Sequence, residues 1–467
     1  GDQRVVCRSR TIAWGGLKME FKQYPSYKKS GVEWLGDVPE HWESNRLKKY
    51  LIERNEKNSP IKTDNLLSVT MYQGVIPVSE KQGNGGNKPK ENLENYKISY
   101  PNDIVLNSMN VIVGSVGLNK YTGLISPAYY ALYNRNKNNN IKFFSYIFHN
   151  PFFQKGLFGL GNGIMYKESE DGKLNTIRLK IPMEKLNQVV LPCPSISEQN
   201  QIVAFLDTET ARIDNLVAKQ EKLIELLEEQ RKSIISHAVT KGLNPNAPMK
   251  DSGVEWLGEV PNDWNFSRLD AVSKIVRGNS AFSKMDLLES GKYVALQYGK
   301  TYKVNEINES FGSYVNQEFF KKSQITEFGD IILISTSETL EDLGHSCFYA
   351  RHDVGLIGGE QFLLKPKNQN FGKYIYYATK AFSSYLQRYA TGLKVFRFNL
   401  DDLKKIYIPD ISLVEQQKIA EFLDKETARI DISVLKQKSL IEKLKEYRAS
   451  IISHAVTGKI DVREFGA

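Results

Sequence analysis

The sequence predicts a mixed α/β protein: two globular domains separated by a long antiparallel two-helix coiled coil, with an internal pseudo-twofold repeat. Three observations carry this. Ser30-Gly31-Val32-Glu33-Trp34-Leu35-Gly36-Asp37-Val38-Pro39 returns as Ser252-Gly253-Val254-Glu255-Trp256-Leu257-Gly258-Glu259-Val260-Pro261. Phe205-Leu206-Asp207-Thr208-Glu209-Thr210-Ala211-Arg212-Ile213-Asp214 returns as the stretch Phe422 to Asp431, and the run Ser233 to Thr240 returns as Ser450 to Thr457. Between these matched segments the halves look unrelated, so the chain repeats a frame and varies its inserts.

The first frame motif follows an N-terminal extension, residues 1–29. The first domain spans 30–194. Strand patterns such as Asp103-Ile104-Val105-Leu106-Asn107 and Gln188-Val189-Val190-Leu191 alternate there with turn-rich stretches, and the aromatic-rich run Phe143 to Leu157 reads as a helix. A helical region follows at 195–242. Ser195 with Glu198 makes a capping box behind Pro194, and Gly242 and Pro245 end the helix. Ile213, Leu216, Gln220, Leu223, Leu227, Gln230 and Ile234 fall at alternating three- and four-residue steps, the pattern of a heptad seam.

The second domain spans 243–410, with Phe328-Gly329-Asp330-Ile331-Ile332-Leu333-Ile334 as its clearest strand. The last region, 411–467, repeats the helix. Ser412 and Glu415 repeat the capping box, and Ile430, Ser433, Gln437, Leu440, Leu444, Tyr447 and Ile451 repeat the seam up to Gly458. Each long helix would extend about 45 Å, and an apolar stripe of that length needs a partner. The nearest partner is the other copy, and a duplicated unit most simply closes with twofold symmetry, so the helices are expected to run antiparallel.

The 467 residues carry a net charge of +9, which points to a polyanionic partner, most often nucleic acid. No stretch reaches the ~20 apolar residues of a membrane span. Gly1 to Lys18 lacks the apolar core of a signal peptide and reads as an upstream extension, with Met19 as an alternative start. Cys7, Cys193 and Cys347 are few, scattered and without metal spacing, which suits a reducing cytoplasm.

Catalytic signatures are sparse. The glycine-rich Phe158-Gly159-Leu160-Gly161-Asn162-Gly163 follows a helix pattern and leads to a polar stretch, whereas a nucleotide loop follows a strand and opens a helix. Asn150-Pro151-Phe152-Phe153 lacks the second proline of an amino-methyltransferase tetrapeptide. No Walker A loop is present. Asp330 and Glu360 are spaced like a nuclease pair, but Gln361 and Phe362 follow where a lysine is needed. His237 and His454 hold equivalent places near the helix ends and suit charge–dipole contacts better than a metal.

Sequence-reading surfaces need amides, hydroxyls and cations on loops. The first domain offers Lys81, Gln82, Asn84, Lys88 and Lys90 in one glycine-rich run, Asn107, Ser108 and Asn110 after a strand, and Lys167 and Lys173 near the glycine loop. The second offers Tyr298 and Lys300, the strand end Ser335-Thr336-Ser337, and Lys394 and Arg397.

The Gly-Val-Glu-Trp-Leu-Gly-x-Val-Pro opening, the helix starts Pro192 to Gln199 and Pro409 to Gln416, and the Ala-Val-Thr endings together resemble the specificity subunit of type I restriction–modification enzymes, from about Pro25 to the C-terminus. The resemblance implies two target-recognition domains, each followed by a conserved helical region, with the helices antiparallel and holding the domains apart. Each domain would read one half of a bipartite, asymmetric site in double-stranded DNA. The strands after Asn102-Asp103-Ile104 and Gly329-Asp330-Ile331 would be the domain cores, and the loops Gly159 to Lys173 and Thr391 to Phe398 would approach DNA. The chain itself would hold no cofactor. Two methyltransferase subunits and up to two restriction (translocase–nuclease) subunits would bring S-adenosylmethionine, ATP and Mg, in a bacterial or archaeal cytoplasm with no membrane partner. Against this stand a stand-alone DNA methyltransferase or nuclease with degenerate motifs, which would act on DNA alone, and a coiled-coil scaffold, which leaves the divergent inserts of a basic chain unexplained.

Overall fold

The computed structural model describes residues 9–14, 17–70, 73–81, 92–164, 178–367 and 372–465. The chain forms two compact units. One comprises Gly1–Glu221 with Lys438–Ala467, the other Lys222–Gln437. Each long helix, Ile196–Lys241 and Leu413–Val456, contributes to both units.

The first unit is built on an antiparallel sheet in the order Val116–Leu118, Ile104–Asn107, Tyr129–Asn134, Leu51–Arg54. Ile104–Asn107 is buried throughout, as an interior strand covered on both faces must be. Asp103 precedes it in a tight turn closed by Asn102 in the left-handed region, φ 71°. Its carboxylate accepts from the Tyr100 amide at 2.9 Å and from Arg54 Nε at 2.8 Å. The aromatic run forms two helices rather than the expected one, Ile141–Phe148 and Pro151–Gly156. The break is local chemistry: Asn150 caps the second helix by accepting from the Phe152 amide at 2.8 Å, and Pro151 supplies its first residue.

The second unit repeats the plan with a larger sheet, ordered Ser273–Arg277, Gln361–Pro366, Ile331–Ile334, Ser346–Tyr349, Glu306–Ile307. Its last pair is parallel and the others antiparallel. Ile331–Ile334 is the buried counterpart of Ile104–Asn107. Asp330 precedes it after Gly329 at φ 93°, and accepts from the Glu327 amide at 2.9 Å and from Lys365 Nζ at 2.6 Å.

The repeated motif is a turn with a docked tryptophan. Gly36 donates to Val32 O at 2.9 Å and Gly258 to Val254 O at 3.0 Å. Both glycines sit in the left-handed region, at φ 61° and 59°, where a side chain is strained. Trp34 then packs edge-on against Phe153 at 4.9 Å between ring centres, and Trp256 against Phe382 at 5.8 Å.

A second tryptophan ties each domain to both helices. In the first unit Trp42 Nε1 donates to Glu198 Oε1 at 3.0 Å, at the start of one helix. A Cβ added to Gly458, at the end of the other, would meet Trp42 at 3.1 Å and Pro39 at 2.3 Å. The second unit repeats this with Trp264, Glu415 and Gly242. The capping boxes are therefore half made. Ser195 and Ser412 accept from the Glu198 and Glu415 amides, both at 3.3 Å, while the carboxylates serve the tryptophans.

Within each unit the helix segments run antiparallel. Arg448 pairs with Asp214, while further along Phe465 stacks edge-on against Phe205. In the other unit Arg231 pairs with Asp431, and Gly242 faces Glu415. Ile213, Ile430, Leu444 and Ile451 are buried, and Gln220, Leu227, Ile234, Gln437 and Leu440 are half-buried. Leu223 departs from the expected seam, being 39% exposed. Ile224 is half-buried instead, and likewise Arg231 rather than Gln230, so the inward face is turned by one residue there.

Candidate nucleic-acid interface

The clearest exposed cationic loop lies in the second unit. Thr336 and Ser337 pair with Phe396 and Arg397 in a two-stranded ribbon. Arg397 is also bound on its other side, exchanging backbone hydrogen bonds with Thr391 at 3.0 Å each. That closes residues 391–397 into a tight loop. Gly392, at φ 116°, makes the loop possible, because a Cβ there would lie 2.0 Å from Val395 O. The result is a rigid base under a projecting tip. Leu393 is 98% exposed, and Lys394 and Arg397 are exposed beside it. A leucine left to solvent and flanked by two cations suits contact with a polyanion that also offers apolar surface, and nucleic acid offers both phosphates and base faces.

The strand end below the loop is different. Ser335, Thr336 and Ser337 are all buried. Ser335 donates its amide to Glu360 O at 3.1 Å, and Ser337 Oγ accepts from the Thr339 amide at 3.2 Å. Through their backbones these residues carry the loop. Tyr298 is half-buried and stacks on Tyr302 at 5.6 Å, which leaves Lys300 exposed on the same short helix, Tyr298–Thr301.

In the first unit two of the expected residues are buried. Asn107 is buried and accepts from the Met109 amide at 3.1 Å. Ser108 is fully buried and donates to Ala128 O at 2.7 Å. Asn107 Oδ1 and the Ser108 hydroxyl thus both hold backbone beside the core strand. Asn110 is half-buried at the head of the turn Val111–Val113, and Lys81 is half-buried after Val78–Glu80. Gln82, Asn84, Lys88, Lys90, Lys167 and Lys173 lie outside the described residues. Four exposed cations that sequence reading passed over, Arg46, Lys48, Lys49 and Arg135, line one groove of this unit. The short basic run 46–49 was their signal, and Arg135 joins it only through the fold.

The other sequence candidates take structural roles. Asp330 is held by Lys365, while burial pushes its carboxyl up from the ordinary range. Phe158–Leu160 is a short helical turn followed by the strand Asn162–Ile164, so the glycine run opens no helix. His454 Nδ1 lies 2.7 Å from Ser450 O in the preceding helical turn, and His237 is exposed. Among the described residues no cluster of three His, Cys, Asp or Glu is placed to hold a metal, and no helix is long and apolar enough to cross a membrane.

Residues 261–443 match a family model described as the type I restriction modification DNA specificity domain. A protein of Methanocaldococcus jannaschii named as the MjaX type I restriction enzyme specificity subunit is 27% identical over 467 residues, 96% of this chain and 99% of its own length. The MjaVIII specificity subunit of the same organism is 25% identical over 59% of this chain and 63% of its own length. The EcoKI specificity subunit of Escherichia coli is 24% identical over 44% of each chain. A solved structure concerned with assembly and conformational transition of the type I R-M system contains a chain of the same fold, with a TM-score of 0.65 at 13% identity. That likeness covers 90% of this chain and 98% of the other.

Proposed function

We propose that this chain, a relative of type I restriction-enzyme specificity subunits, is the part of such an enzyme that reads DNA sequence, each unit reading one half of a bipartite, asymmetric site. One observation carries the reading. The same clamp is built twice, Trp42–Glu198 and Trp264–Glu415, around domains whose sheets and loops differ. A frame that is repeated and surfaces that are not suit one complex that must present two different readers. The charge of +9 gives the chain a general attraction to DNA, and the 391–397 loop gives the second unit a projecting contact.

The chemistry then belongs to partner subunits. The repeated frame would recruit two copies of a methyltransferase carrying S-adenosylmethionine, and up to two restriction subunits using ATP and Mg, in the cytoplasm. This chain would contribute no catalytic group. The test is methylation mapping in cells that carry this chain with its methyltransferase. Replacing residues 45–192 by the matching insert of a relative should change one half of the methylated site and leave the other. If both halves change together, or if the purified chain methylates or cuts DNA alone, the reading is wrong.

A further inference from the structure

The first unit carries a cationic groove whose counterpart in the second unit is neutralised. Ser44, Asn45 and Arg46 on the strand Glu43–Arg46, Lys48 and Lys49 on the turn after it, Arg135 and Val190 line an open groove of about 650 Å³. Arg135 is fixed there. Its Nε donates to Lys48 O at 2.9 Å and its amide to Tyr50 O at 2.8 Å. Glu43 lies 3.7 Å from Lys49, with both side chains more than half exposed.

The second repeat builds the same backbone and cancels the charge. Asn265–Arg268 pairs with Tyr407–Asp410 as Glu43–Arg46 pairs with Val190–Cys193. Arg268 and Leu269 stand where Arg46 and Leu47 do, but Asp270 and Ala271 replace Lys48 and Lys49. Asp270 takes both Arg268 Nε, at 3.0 Å, and Nη2, at 2.6 Å. Lys367 donates its amide to Val272 O as Arg135 does to Tyr50 O, so one further cation remains at a position matching the groove lining, while the neighbouring Lys404 and Lys405, in place of Asn187 and Gln188, are paired with Asp401 and Asp402. Asp410, in place of Cys193, supplies a second carboxylate.

We propose that the groove of the first unit binds backbone phosphates of DNA beside the half-site this unit reads, an anchor without an equal in the second unit. This rests on the DNA-reading function proposed above. Exposed cations on a fixed turn recognise the charge of a phosphate chain and carry no base information. The asymmetry selects DNA over a protein partner. A subunit recruited once to each repeat needs a surface that occurs twice, and this one does not.

The experiment uses the complex reconstituted with its methyltransferase subunits and two short duplexes, one bearing the mapped site and one scrambled. Lys48→Asp combined with Lys49→Ala transplants the second-repeat side chains onto the first. Both positions are exposed, so the melting temperature should stay put. Affinity should fall by a similar factor for both duplexes, and the salt dependence of binding should flatten by roughly one to two in slope. Asp270→Lys combined with Ala271→Lys should raise affinity for both. Unchanged affinity and slope in the first variant, while the parent complex binds, overturns the groove and leaves DNA reading intact. A loss confined to the mapped duplex makes the groove a base reader. A loss of methyltransferase binding makes it a protein-docking surface. Either overturns the phosphate assignment. Failure of the parent complex to bind either duplex overturns both readings.

Discussion

The Trp42 indole donates its only hydrogen bond to Glu198, at 3.0 Å, with the tryptophan fully buried and the carboxylate nearly so. Trp264 and Glu415 repeat the bond at 3.2 Å. The glutamate that would complete a helix cap is thus diverted to hold the domain against the start of a long helix. Glu198→Ala strands the buried indole N–H, and leaving such a donor unsatisfied costs about 1–3 kcal/mol. Glu198→Gln keeps a carbonyl oxygen as acceptor and should cost less. Thermal or denaturant melting of the two variants checks this. Equal losses would mean that packing, not the hydrogen bond, is what the glutamate supplies.

Arg448 reaches Asp214 at 2.8 Å, and Arg231 pairs with Asp431. The two aspartates occupy the same repeat position, and so do the two arginines. Arg231 is mostly buried, but Arg448, Asp214 and Asp431 all reach solvent, so such a pair is worth about 0–1 kcal/mol. Its use is in register: slide either helix by one residue and the charges no longer meet. Asp214→Lys sets like charges together and should lower stability by up to about 1 kcal/mol, with Arg448→Glu added on top restoring most of it. A double-mutant cycle measured at low salt reads the coupling. No recovery in the double variant would show that these residues do not face each other in solution.

How much of this was legible in the sequence depends on how local the signal is. The ends of both long helices were legible, because Gly242 and Gly458 adopt the left-handed turn that ends a helix, at φ 71° and 67°. The core strands after Asp103 and Asp330 were legible from a turn followed by an apolar run. The break at Asn150-Pro151 was also written locally, as a cap and a first-turn proline, but the aromatic run around it masked it. The direction of a polar side chain was not legible. Asn107, Ser108 and Ser335 to Ser337 follow buried strands, and sequence alone does not say whether a hydroxyl or amide there turns outward or satisfies the backbone beside it. Nor was the groove, because Arg135 reaches Lys48 only through the sheet that pairs Tyr129–Asn134 with Leu51–Arg54.

His345 supplies a pH prediction. Burial, with the Lys380 charge adding to it, holds its imidazole down to about 4 from an ordinary 6.5, against the opposing pull of the Val304 carbonyl and Asp342. Its Nε2 lies 2.8 Å from Val304 O and therefore donates to it. The folded chain keeps this ring neutral where the unfolded chain takes up a proton. The stability it contributes is complete above pH 6.5 and is lost as pH falls from there towards 4. Burial of His149, likewise held down to about 4, adds a second loss of the same sign. His345→Gln removes the proton uptake and should flatten part of the fall in melting temperature over that range. Identical slopes for parent and variant would show that His345 titrates normally in the folded chain.

Leu393, Lys394 and Arg397 give the sharpest test of the reading loop. The three project from a base that Gly392 and the Thr391–Arg397 hydrogen bonds hold closed, so truncating any of them should leave the fold intact. They should nevertheless differ in how they lose DNA. Removing a cation from a phosphate lowers affinity evenly across sequences and reduces the salt slope by about one, which is the expectation for Lys394→Ala. Arg397 sits on the rigid ribbon, where a guanidinium can be aimed at a guanine edge. Arg397→Ala should therefore relax one base position by about 1–3 kcal/mol. Leu393→Ser removes only apolar surface, so it should weaken binding with no change in salt slope, as expected of a side chain set against a base rather than a phosphate. Binding titrations at several salt concentrations, with single-base substitutions across the second half-site, separate the three. If all three variants bind the mapped duplex and its single-base derivatives as the parent does, this loop does not touch DNA and the second unit reads its half-site with another surface.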